Sequence, residues 1–201
     1  MKLIKRSTDK KVLLWLLREF TLTPTITSLA KGIGLSRVSV WKSLKKLEAK
    51  SQVLVKAMGS GKTSTFIVKI NWGNPIIKKS FSLYLLEEAL IQERWRSNFA
   101  GLEKNVNFLI IFGSILHSPQ QANDIDLIGV TTSGKFAKLQ QAVDQVQKTT
   151  HKKIHIINFT QKEFQQELLK PNKVFIDAVR KGIILFGQDK FIKLIEEVSS
   201  K

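Results

Sequence analysis

Cysteine is absent from the 201 residues, which excludes disulfides and thiolate metal sites and fits a cytoplasmic setting. Long apolar runs are absent as well. None approaches the ~18–20 residues that a membrane span needs, so no membrane partner is expected. The N-terminus, MKLIKRSTDKK, is basic, but the apolar stretch 12–17 contains Trp15 and runs at once into Arg18 and Glu19. It lacks the long apolar region and small-residue cleavage site of a signal peptide. Acids are scarce in the first part of the chain. Residues 1–80 hold 17 Lys and Arg against 3 Asp and Glu, a balance of +14, whereas residues 81–201 hold 16 against 13, a balance of +3. Most of the net +17 therefore belongs to the first eighty residues, and a segment that basic attracts a polyanion, most simply nucleic acid. An apolar content of 43% and a charged content of 24% are ordinary for a globular protein. The length suits one large domain or two small ones.

The first eighty residues alternate helical periodicity with turn signals. Residues 9–20 place Val12, Leu13, Trp15, Leu16, Leu17 and Phe20 on a broad apolar face. A second, shorter helix is expected over 25–33, with Ile26, Leu29 and Ala30 inward and Gly32 and Gly34 at its end. Ser36 reads as the N-cap of a third helix to about Ala49, with Val40, Leu44 and Leu47 on one face. Arg37, Lys42, Ser43 and Lys46 are expected on or near the other. Two β runs follow, 53–57 and 64–70, joined through a Gly-rich tip at 58–63. That tip ends in Gly61-Lys62-Thr63, but a phosphate-binding loop needs a glycine where Lys56 stands, and must lead into a helix rather than a β run.

Three helices followed by a hairpin form the winged helix-turn-helix plan, and the run GLSRVSVWKSLKKLEAKSQVLV resembles the recognition segment of winged-helix transcriptional regulators. The resemblance covers about residues 10–70. It implies that the third helix enters the major groove of double-stranded DNA, with Arg37, Ser39, Lys42, Ser43 and Lys46 toward bases or phosphates. Lys56 and Lys62 on the wing would reach neighbouring phosphates or the minor groove. Trp41 reads as partly buried packing.

Asn71-Trp72-Gly73-Asn74-Pro75 is the densest turn cluster of the chain and sets the expected domain boundary, 1–75 against 76–201. Residues 81–97 read as a helix with Leu83, Leu86 and Leu90 on one face. Packing on the second domain is the default for it, and pairing with its copy in a homodimer is the alternative.

The stretch 108–130, FLIIFGSILHSPQQANDIDLIGV, carries the chemistry. A short buried strand ends at Gly113-Ser114, a loop follows, and a second apolar run carries Asp124 and Asp126. Alternation along a strand points both carboxylates to one face, where they can share a divalent cation or hold two. A helix starting at Ser114 would add backbone N–H groups for phosphates. Together these are the parts needed for metal-assisted nucleotidyl transfer.

Gly113-Ser114, nine residues, then Asp124-Ile125-Asp126 resembles the G-S…D-x-D signature of the polymerase-beta-type nucleotidyltransferase superfamily, nearest its minimal nucleotidyltransferase branch. The ending 179–187, VRKGIILFG, is similar to the tail of many of its members. The resemblance implies an α+β chain in which a winged helix-turn-helix precedes a nucleotidyltransferase-like mixed α/β domain, a small sheet with helices on one face. It implies Mg²⁺ held by Asp124 and Asp126, a nucleoside triphosphate such as ATP held at Gly113 and Ser114, and transfer of a nucleoside monophosphate to an acceptor. Some minimal nucleotidyltransferases act as antitoxins that modify a partner toxin, which makes a protein acceptor one option. The family pattern breaks at one position. Active members place a third carboxylate on the strand here read as 153–159, and the matching residue is His155; no Asp or Glu occurs between Asp144 and Glu163. A neutral imidazole can serve as a general base but does not supply the anionic charge for a second metal. His155 also reads as an ordinary strand histidine. The alternative function is therefore a transcriptional regulator whose second domain is inactive and serves as a ligand sensor or dimerisation platform.

Overall fold

The structure, a computed structural model, describes residues 7–20, 23–59 and 65–199. The architecture is α+β, with one small antiparallel sheet and one mixed sheet. The chain divides into two compact units, Met1–Tyr84 and Leu85–Lys201. No described helix is long and apolar enough to cross a membrane.

In the first unit α1 (Thr8–Arg18), α2 (Ile26–Ile33) and α3 (Arg37–Ala49) precede β1 (Val53–Met58) and β2 (Thr65–Ile70). Each helix starts where a hydroxyl can accept an otherwise orphaned N–H. Ser7 accepts from Lys10 and Ser36 from Ser39. Thr25 forms a reciprocal capping box with Ser28, so α2 begins one residue later than expected. Gly34 ends α2 in the left-handed conformation at φ 66°. Val12, Leu17, Leu29, Val40, Leu44 and Val68 close a core among the three helices and the hairpin. β1 and β2 pair antiparallel from Val53↔Ile70 to Met58↔Thr65, and an isolated bridge joins Thr25 to Ile67. The hairpin tip, including Lys62, lies outside the described residues.

The 71–75 cluster does more than separate. The Asn71 and Asn74 side-chain amides donate to the carbonyls of Lys50 and Ser51, clamping the turn in which Ser51 holds φ 54°. Pro75, expected to close the first domain, instead opens α4 (Pro75–Ile91), since a first-turn proline needs no N–H partner. The helix expected over 81–97 is thus α4 plus α5 (Glu93–Asn98), interrupted at Gln92. Trp72 against Phe81, and Lys10 over the Tyr84 ring, tie the beginning of α4 to the first unit.

In the second unit β3 (Phe108–Phe112), β4 (Asp124–Val130), β5 (Lys153–Phe159) and β6 (Ile183–Phe186) form a sheet in the order β5-β4-β3-β6. β3 pairs antiparallel with β4 and β6; β4 and β5 run parallel, joined through α6 (Phe136–Thr149). One face carries Leu109, Ile111, Ile125 and Leu127, packed with Leu139 and Val143 of α6 and with Trp95 and Phe99. The other face also has a helical cover, and this corrects the one-sided arrangement expected above. There Phe108 meets Phe164 of α7 (Gln161–Leu169) and Phe191 of α9 (Gln188–Ser199), at centroid distances of 5.2 and 5.5 Å. Phe175 of α8 (Lys173–Lys181) joins that cluster through Phe159 and Phe164. β3 and β4 are buried on both faces over most of their length, which is why they read as apolar runs rather than alternating ones.

Candidate functional site

Asp124 and Asp126 interrupt that double burial. They share a face with Ile128 and Val130, but lie at the end of β4 away from the Phe108 cluster, because Phe108 pairs with Val130 and Phe112 with Asp126. Both remain half-buried while Ile125 and Leu127 between and after them are fully inside. Across the parallel register, Asp124 stands beside Lys153 and Asp126 beside His155, which is exposed. The pairing of His155 with Asp126 is therefore a property of register.

Gly113 leaves β3 at φ 85° and ψ −163°, a conformation essentially reserved for glycine. A Cβ there would lie 2.6 Å from Asp126 Oδ2, so the bare backbone admits the carboxylate. The expected helix at Ser114 is one 3-10 turn, Ser114–Leu116, whose first hydrogen bond runs from the Leu116 N–H to the Gly113 carbonyl. The turn offers the N–H groups and hydroxyl at its start without the dipole of a long helix. Ile115 and Ala122 bury into the core and pin both ends of the loop, and Lys152 Nζ donates to the Ala122 carbonyl.

The Asp126 carboxyl is held above its ordinary value of 3.8, first by burial, then by the Asp124 carboxylate; His155 pulls the other way. Two hard oxygen donors on one strand face fit one Mg²⁺, which takes one or two carboxylates and fills its shell with water and phosphate oxygens. The repulsion that raises Asp126 is what such a cation relieves. Among the described residues no group of three His, Cys, Asp or Glu could hold a metal. The fit thus extends to one cation on the Asp pair, with no third carboxylate to fix a second.

On α3, Arg37, Ser39, Lys42 and Lys46 are exposed as expected, and so are Lys45 on the same helix and Lys56 on β1. Ser43 is a correction. It is 3% exposed and its Oγ donates to Asp9 Oδ1 at 2.6 Å, because it sits three residues after Val40 and four before Leu47 on the inward face. Ser43 therefore belongs to the packing of α1 on α3. The Ser39 hydroxyl accepts from Ser36 Oγ within the N-cap. Trp41 is half-buried, its ring 5.1 Å from Phe66, with Lys45 Nζ 4.7 Å above it. Residue patterning missed Lys153, because its place beside Asp124 follows from strand register. It also passed over Val38, which an exposure argument on the helical wheel would have found.

No protein-family model, curated protein or solved structure matches the chain.

Proposed function

We propose that the chain is a DNA-binding protein with a nucleotidyltransferase domain: a winged helix-turn-helix followed by a domain that binds a Mg²⁺-bound nucleoside triphosphate, in the first instance ATP. Three capped helices, an antiparallel hairpin and a face of exposed cations on α3 support the first half. The single observation that carries the second half is the seating of Asp126 Oδ2 over the glycine-only backbone of Gly113, beside Asp124. The end of β3, Gly113 and Asp126 thus adjoin, which supports the reading drawn from the G-S…D-x-D resemblance.

In the transfer, an acceptor hydroxyl oxygen bonds to the α-phosphorus as the bond from that phosphorus to the β-bridging oxygen breaks; pyrophosphate leaves and the hydroxyl proton passes to a base. Asp124 and Asp126 would hold the cation, which supplies charge neutralisation on the phosphates. Gly113 and Ser114 would position the triphosphate, and His155, exposed beside Asp126, would be the candidate to take the proton. The test is Mg²⁺-dependent binding of ATP, GTP, CTP and UTP, followed by pyrophosphate release with cell extract as acceptor source. Asp124→Asn with Asp126→Asn should abolish both, and unchanged binding would sink the site.

The second reading is a regulator whose nucleotidyltransferase-like domain senses a ligand or supports dimerisation without chemistry. The imidazole at the third-carboxylate position favours it, since among the described residues no third anion joins the pair to hold a second cation. Nucleotide binding without pyrophosphate release, from any nucleotide or extract, would decide for it.

A further inference from the structure

Val40, Ser43, Leu44 and Leu47 define the buried side of α3. At about 100° per residue, the line opposite them runs through Val38, Lys42, Lys45 and Ala49, all exposed. Arg37 and Ser39 flank its N-terminal end. Val38 is thus at the centre of the outward face, in the first turn, and at 64% exposed it is the most exposed large apolar side chain described in the first unit. Its isopropyl group gains nothing from the core, and a β-branched residue lowers helix propensity. What such a group can recognise is constrained by its neighbours. An apolar protein or lipid surface docking on Val38 would have to desolvate Arg37, Lys42 and Lys45. A polyanion with isolated methyl groups between hydrogen-bonding edges would not. The major groove of DNA is that surface, and its methyl group is the 5-methyl of thymine.

We propose that Val38 is a specificity-determining residue, packing against one thymine methyl in each bound site while Arg37 and Lys42 engage the neighbouring bases and phosphates. This rests on the DNA-binding reading above. The test uses the full chain. A preferred duplex is selected from a random pool, and each thymine is then replaced singly by deoxyuridine, which deletes the methyl and keeps every hydrogen-bonding group. One position per site should weaken wild-type binding about fourfold, the worth of one buried methyl. Val38→Ala should lose most of the discrimination between the thymine and deoxyuridine versions of that site, with unchanged salt dependence on random duplex and a Tm at or slightly above wild type, since alanine is the better helix former. A uniform response to deoxyuridine at all positions, or a sensitive position that Val38→Ala retains, would overturn the assignment while leaving DNA binding intact. Absence of salt-dependent duplex binding by the wild type would overturn the DNA-binding reading, and this inference with it.

Discussion

Asp126 is the residue on which stability and the proposed chemistry conflict. Burial and the Asp124 carboxylate raise its pKa in the folded chain, while in the unfolded chain it titrates near 3.8. Between those values the folded state binds more protons, so stability is lost as pH rises through the folded value. Asp126→Asn removes that penalty. It is expected to raise Tm at pH 7, with the gain shrinking to nothing as pH falls below 3.8, as scanning calorimetry across that range will read. Mg²⁺ should raise the wild-type Tm, by binding the folded state, and leave Asp126→Asn unmoved. Gly113 answers to the same carboxylate. Gly113→Ala should cost about 1–3 kcal/mol for its glycine-only backbone. It should also weaken Mg²⁺-ATP binding at least about tenfold by displacing Asp126. Gly134, whose added Cβ meets nothing within 4 Å, is the control; its alanine variant should stay within about 0.5 kcal/mol of wild type in urea.

Among elements, α3 separates what periodicity could reveal from what it could not. Its caps, length and apolar face were legible, because Ser36, Val40, Leu44 and Leu47 obey helical spacing with ordinary chemistry. Ser43 was misread because its side chain is polar. Its spacing from Val40 and Leu47 already placed it inward; what no local window contains is the acceptor that lets a hydroxyl stay there, Asp9 on another helix. The strands behave alike. That Asp124 and Asp126 share a face follows from period two, but the pairing of Asp126 with His155 and Asp124 with Lys153 is set by register. The Ser43 assignment yields a paired prediction. Ser43→Ala should destabilise the chain by about 1–2 kcal/mol, since it leaves the Asp9 carboxylate short of a donor, and leave duplex affinity unchanged. Lys42→Ala with Lys46→Ala should do the reverse, keeping Tm and reducing the salt slope of duplex binding by up to about 2. Equal effects of both variants on affinity would return Ser43 to the binding face.

At the scale of the molecule, charge and cores divide together. The boundary between units falls between Tyr84 and Leu85, inside α4, and since residues 81–84 carry no charge, the +14 excess stays whole in the first unit. The turn cluster at 71–75 ends where α4 begins, because Asn71 and Asn74 bind back to the α3–β1 turn and Pro75 starts the helix. Two-sided burial of the second sheet was hidden, since nothing local to α7, α8 or α9 shows that Phe164, Phe175 and Phe191 gather with Phe108. Each unit closes a core of its own, one around Leu17, Leu29 and Leu44, the other around Leu109, Leu127 and Leu139. Unfolding is therefore expected in two cooperative steps. The proposed ligands address different units, and a ligand stabilises only the fold that binds it. Duplex DNA should raise one calorimetric transition and Mg²⁺-ATP the other, with Asp124→Asn/Asp126→Asn abolishing only the second shift. A single transition moved by either ligand would instead mean that the units unfold together, and DNA and nucleotide would then be linked through folding stability itself.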